Sequence, residues 1–180
     1  MVVRDDAQEI TTAFLKIISE ADAVITSGGA WTGDRDLVVS ILERLGWSQV
    51  FHRIRIGPGK AVGFGFLNHK PVFILPGGPP SNLMGFLQIA LPGLLKLSGY
   101  SHVGLPSTAV ILASDLSGRY ADWTQYIFGR IENNGRGTFF HPIRASSRLQ
   151  SMAEAQAVVA VPEGETLLPA GTLVVAQMLM

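Results

Sequence analysis

Apolar residues near the start of the chain recur with the period of a helix. Ile10, Ala13, Phe14, Ile17 and Ile18 stand at i, i+3, i+4, i+7 and i+8, which predicts an amphipathic helix from Asp6 to Glu20 lying on a sheet. The preceding MVVR predicts a short strand ending at Asp5, and Ala23 to Thr26 a buried strand. Leu37, Val38, Ile41, Leu42 and Leu45 form a second helical stripe, closed by Gly46 where a left-handed residue is expected. In QVFHRIRI the residues Val50, His52, Ile54 and Ile56 alternate with Phe51, Arg53 and Arg55, which predicts one strand carrying both arginines on one face.

VGFGFL and PVFIL flank the turn NHK and predict a hairpin. PGGPP then leads to Ser81 as the N-cap of a helix reaching about Leu97, kinked at Pro92. Strands alternating with helices imply an α/β fold with a three-layer, mostly parallel sheet and one antiparallel member. After SGYSHVGLP the runs STAVILA, WTQYIFGRI, TFFHPI, AVVAVP and TLVVAQML are short, β-rich and separated by turn signals, with one helical turn expected around Ser147 to Ala155. The chain is therefore expected to divide into an α/β domain over residues 1–102 and a small all-β barrel or sandwich over 103–180.

Composition narrows the possibilities. With 47% hydrophobic and 16% charged residues among 180, the chain can bury a real core. Fourteen basic and fourteen acidic side chains cancel, so no net field favours a nucleic acid, and any anion must be bound locally. The absence of cysteine removes disulfides, thiolate nucleophiles and cysteine metal sites. No apolar run approaches the roughly 20 residues of a membrane span, and MVVRDDAQEI lacks the pattern of a secretion signal, so no membrane association and a cytoplasmic location are expected.

Ligands of open α/β sheets sit beyond the carboxyl ends of the strands, and three loops stand where such sites form: TSGGAWTGDRD, GPGKA and PGGPPSN. In the first, Gly28 and Gly29 expose backbone, Thr26, Ser27 and Thr32 offer hydroxyls, and Asp34 and Asp36 stand at a helix start, where Asp34 could simply be a cap. Asp36, one turn in, could face the strand ends together with Asp5, a pair suited to Mg²⁺ beside a phosphate. Arg53, Arg55 and Lys60 are either solvated charges or anion contacts. The four histidines have no metal-ligand spacing, and Trp31 could stack on a heterocycle or cover the core.

ADAVITSGGAWTGDRDLV, IGPGKAVGFG and PVFILPGGPPSN, in this order, resemble the third domain of molybdopterin molybdenumtransferases of the MoeA and gephyrin type. That family shows an SGG…VG..D segment, a KPGKP loop followed by FG, and an LPGNP loop. The tail resembles the family's C-terminal β-domain. The resemblance implies insertion of molybdate into adenylylated molybdopterin with release of AMP, assisted by Mg²⁺. On it, Asp5 and Asp36 match the functional aspartates, catalytic and metal-binding. Thr26, Ser27, Gly28, Gly29, Gly33, Arg53, Pro58, Gly59, Lys60, Pro76, Gly77, Gly78, Pro79 and Ser81 fall at substrate-binding positions.

The departures are specific. Gly57 replaces the first lysine of KPGKP, Ala61 its last proline and Gly78 the asparagine of LPGNP, while AWTG stands for VSVG. One lost charge-assisted contact costs roughly 1.5–3 kcal/mol, or about 10- to 200-fold in affinity. Against the family, the two N-terminal domains and the opening strand and helix are missing. The expectation is a truncated form, completed by a homodimer partner or by another chain, and acting as the transferase if active. The alternative is a non-catalytic molybdopterin-binding or assembly module. Adenylyl transfer to molybdopterin is less favoured, because the β-tail belongs to the insertion branch.

Overall fold

The computed structural model describes residues 1–29, 37–144 and 147–179, and the chain forms two units, Met1–Ile54 with Gly59–Val103, and Arg55–Pro58 with Gly104–Met180.

The first unit opens on helix α1 (Ala7–Glu20), capped by Asp6, whose carboxylate accepts from the backbone N–H of Gln8 and Glu9 at 2.9 Å each. Residues 1–4 are not a strand, so the expected MVVR strand is corrected. One β-branched pair flanked by Met1 and Arg4 finds no neighbouring strand to complete its hydrogen bonds, and alternation over so few residues is weak evidence for a strand. Strand β1 (Val24–Ser27) follows, then helix α2 (Leu37–Arg44), which ends as predicted at Gly46, with φ of 88°.

Strand β2 (Ser48–His52) is shorter than QVFHRIRI suggested. Arg53 takes a positive φ of 69° and stops it, and the short β3 (Ile56–Gly57) pairs with the second unit. The two arginines therefore do not share a strand face. Arg53 is half-buried, whereas Arg55 is exposed and pairs with Glu163 at 2.6 Å.

Strands β4 (Gly63–Leu67) and β5 (Lys70–Leu75) form the hairpin, turned by Asn68 and His69 with φ of 50° and 63°. Two consecutive left-handed residues are the signature of a type I′ turn, whose twist matches that of the strands. The sheet order is β1-β5-β4-β2; β1 and β5 are parallel, and β4 is antiparallel to both β5 and β2. Three strands thus run one way and β4 alone runs against them, as the sequence predicted.

The alternation of β5 builds three layers. Val72 and Ile74 pack with Ile10, Phe14 and Ile18 of α1 and Ile41 and Leu42 of α2, while Phe73 and Leu75 face the other way, toward Ala90, Phe86 and Leu94. Those last residues belong to one helical run composed of α3 (Pro79–Gly85), a π-helical turn (Phe86–Ala90) and α4 (Leu91–Leu97). The π turn ends two residues before Pro92, which has no N–H and would crowd the carbonyl four residues back; widening the turn removes that conflict. Ser81 is not the N-cap. Gly78 is, with Pro79 and Pro80 opening the helix, because proline's fixed φ suits its first turn.

The second unit closes on itself. Strands β6 (Ser107–Leu112), β8 (Thr124–Asn134), β9 (Gly137–Pro142), β10 (Ala157–Val161) and β12 (Leu173–Met178) pair in the order β10-β12-β6-β9-β8, and β8 returns to β10, giving a five-stranded barrel with β3 added along β8. β7 (Leu116–Ser117) and β11 (Leu167–Leu168) make a separate two-stranded ribbon. The helical turn expected near Ser147 is α5 (Arg148–Glu154), with the Ser147 hydroxyl accepting from Gln150 N–H. Val110, Leu112, Phe140, Val159, Val161 and Ala176 fill the barrel. Among the described residues no helix is long and apolar enough to cross a membrane.

Candidate functional site

Register fixes which loops share a rim of the first unit's sheet. His52, Gly63, Ile74 and Thr26 are partners in turn across β2, β4, β5 and β1, so they form one row, about 14 Å from end to end at the usual strand spacing. Because β1, β5 and β2 run the same way, the segments following Ser27, Leu75 and His52 all leave from the same edge. α1 is oriented by Lys70, which opens β5 and donates from Nζ to the Ile18 carbonyl at 2.7 Å. The carboxyl end of α1 thus lies at the amino end of β5, and its N-terminus, with Asp5 and Asp6, lies toward the rim.

The loops after β1 and β5 touch. The Gly28 N–H donates to Leu75 O at 3.0 Å, continuing the parallel ladder beyond β1. A Cβ placed on Gly77 would stand 3.6 Å from Gly28 Cα. Gly29 has φ of 65°, and a Cβ there would meet Val38 Cγ2 at 2.4 Å, so both its backbone angle and its surroundings require glycine.

Asn82 fastens the two loops. Its Nδ2 donates to Ser27 Oγ at 2.9 Å and to Pro76 O at 2.8 Å. Sequence reasoning selected Ser81 beside it and missed Asn82. The available signal was its position four residues after Gly78, where a helix turn brings a side chain back over the loop; its backbone N–H in fact donates to Gly78 O at 2.8 Å.

The loop after β2 is held by its own backbone. Arg53 N–H donates to Val62 O at 2.9 Å, Ile54 N–H to Lys60 O at 3.0 Å and Val62 N–H to Gly59 O at 3.0 Å. Arg53 Nε and Nη2 are buried, while Lys60 is exposed. Gly59 and Lys60 belong to the first unit and Pro58 to the second. Thr26 Oγ1 is buried and has no hydrogen-bond partner among the described residues.

The remaining sequence-predicted residues divide clearly. Gly77, Gly78, Pro76, Pro79 and Ser81 lie on the rim segment after β5, next to Ser27, Gly28 and Gly29. Pro79 and Pro80 carry no N–H, so Ser81 is the first residue of α3 able to donate from its backbone. This start of α3 thus offers an anion fewer donors than helices usually provide. Asp5 is exposed and precedes the capping Asp6. Asp36, Gly33, Trp31, Thr32 and Asp34 lie outside the described residues. Among the described residues no three His, Asp or Glu side chains gather to hold a metal ion.

Known proteins resemble this chain in both of its units. The family described as "Probable molybdopterin binding domain" matches residues 1–96, and "MoeA C-terminal region (domain IV)" matches residues 113–179. The molybdopterin molybdenumtransferase of Haemophilus influenzae is 41% identical over 95 residues, covering 53% of this chain and 23% of that protein. The protein of the same name from Nostoc sp. is 28% identical over 176 residues, covering 94% of this chain and 40% of its own length. The solved molybdopterin biosynthesis MoeA protein of Pyrococcus horikosii superposes with a TM-score of 0.80 at 30% identity, covering 98% of this chain and 42% of that one. The chain therefore spans less than half the length of each of these proteins. The chain belongs to the molybdopterin-binding domain family over its first 96 residues and carries the MoeA C-terminal region behind it, over residues 113–179.

Proposed function

We propose that the chain acts in molybdenum cofactor synthesis, binding adenylylated molybdopterin at the rim of its first unit, where molybdate is inserted and AMP released. The observation that carries this reading is the joining of the loops after β1 and β5 through Asn82, Ser27 and Pro76 at the carboxyl ends of two parallel strands. Ser27 and the glycines of both loops allow a ligand to approach the backbone closely. In this reading Lys60 and Arg53, on the loop that follows β2, would supply positive charge for phosphate oxygens, and Gly59 would let the ligand approach the backbone. Pro58 closes the same motif in the chain. In this reading Asp5 and Asp36 would hold Mg²⁺, which would offset the charge of the phosphate.

The activity belongs to a longer arrangement in the relatives, so the reading includes a second copy or another chain that completes the cleft, and a cytoplasmic setting. Purified chain incubated with molybdopterin-AMP, with and without molybdate, tests it by chromatography of the nucleotide. Molybdate-dependent AMP release supports insertion.

A second reading, a binding or assembly module without turnover, is favoured by two observations. Gly57 supplies no charge where the related loops carry lysine, and the two prolines remove backbone donors from the start of α3. Tight binding of molybdopterin-AMP without AMP release supports it, and absence of binding defeats both readings.

A further inference from the structure

We propose that Asn82 is a positioning residue of the rim, which turns the Ser27 hydroxyl into an outward hydrogen-bond donor for a phosphate oxygen of the ligand. The inference rests on the reading of the rim as a pterin-phosphate site and adds a residue and a polarity to it.

Pro76 O is a carbonyl and can only accept. Its 2.8 Å contact with the Asn82 side chain therefore fixes the amide with nitrogen, not oxygen, on that side. The same nitrogen lies 2.9 Å from Ser27 Oγ. An amide nitrogen has two hydrogens and nothing to accept with, so one hydrogen goes to Pro76 O and the other to Ser27 Oγ. Ser27 is the acceptor in that pair, and its own proton must point elsewhere.

Ser27 is exposed, and the one side-chain hydrogen bond its hydroxyl makes among the described residues is the one it accepts from Asn82. The neighbouring Gly28 N–H is already engaged by Leu75 O. The hydroxyl is thus a preset donor at the lip of the loop after β1, directed away from Asn82. A donor oriented before binding loses less freedom when an anionic oxygen arrives than a freely rotating hydroxyl does. Gly78 has no side chain with which to duplicate the role.

The opposite polarity is available through one substitution. In Asn82→Asp the carboxylate has no hydrogen to give, repels Pro76 O and draws the Ser27 proton inward. In Asn82→Ala the hydroxyl is unrestrained but can still donate. Equilibrium binding of molybdopterin-AMP to the full chain, with folding checked by far-UV circular dichroism, separates these cases. Asn82→Asp should weaken binding about 10- to 200-fold, as should Ser27→Ala, whereas Asn82→Ala should weaken it only a few-fold, ~2 to 5.

In the Ser27→Ala background the penalty of Asn82→Asp should shrink at least about 3-fold, to the repulsion between the added carboxylate and the phosphate alone. A role confined to fold stability would leave that penalty undiminished, and such a result overturns the proposal. So does wild-type affinity in Asn82→Asp, or loss of folding in both Asn82 variants. A wild-type chain that binds no molybdopterin-AMP defeats the functional reading and this inference together, whereas wild-type binding with unaffected variants defeats the inference alone.

Discussion

Lys70 Nζ reaches across 52 residues to the Ile18 carbonyl at 2.7 Å, closing the end of α1 with a cation. Carbonyls of a helix's last turn have no partner within the helix, and the dipole favours positive charge there. No other basic residue stands in that last turn. Lys70→Met keeps the aliphatic stem and removes the donor, so it should destabilise the first unit by about 1–2 kcal/mol. Urea denaturation followed by circular dichroism measures this, and a loss below a few tenths of a kcal/mol would refute the capping role.

Gly129 gives the barrel room for Phe140. A Cβ on Gly129 would lie 2.2 Å from Phe140 Cζ and 2.7 Å from His141 O, one a fully buried ring and the other backbone. Neither can withdraw cheaply, so Gly129→Ala should cost about 1–3 kcal/mol, whereas Gly135→Ala in the adjoining turn, which meets nothing within 4 Å, should stay within about 0.5 kcal/mol. Thermal melting of the two variants should separate them plainly.

Burial raises the pKa of Tyr126 above the ordinary tyrosine value of about 10. The folded state then holds this proton more tightly than the unfolded chain. The resulting contribution to stability is fully present below about pH 10 and is lost as pH rises through the folded pKa. Stability should therefore fall more steeply above about pH 10 in the wild type than in Tyr126→Phe. Parallel alkaline denaturation curves for the two proteins would contradict this.

Gly57 can accept a side chain. Its Cβ would meet Gln125 Cγ and Trp123 Cε3 at 3.8 Å each, which is ordinary contact, and its φ lies outside the left-handed region. Gly57→Lys should therefore fold normally, with a stability within about 1 kcal/mol of the wild type. A thermal melt lowered by more than about 8 °C would contradict this.

The layers and direction of the first sheet were legible because their signals are local and repeated. The stripe Ile10, Phe14, Ile18 and the alternation Val72, Phe73, Ile74, Leu75 each present one face to one partner. The barrel strands were legible for the same reason. What escaped were features settled by distant partners. QVFHRIRI alternates throughout, yet only its first part pairs with β4, because the positive φ of Arg53 hands Ile56 and Gly57 to β8. The hydroxyl of Ser81 suggested a cap, but proline's preference for the first helical position moved the cap to Gly78. Asn82 was missed because its partner Ser27 is 55 residues away, and its place one turn after Gly78 hinted only at a contact with its own loop.

The donation of β3 to β8 has a consequence for how this chain can be dissected. Arg55–Pro58 is an early segment that finishes a late domain, so a single cut after Val103 cannot release the barrel whole. Residues 104–180 produced alone would leave Thr124 and Gln125 bare on one side and strip Glu163 of its arginine. A faithful excision has to carry the tetrapeptide with it, either grafted or supplied in trans.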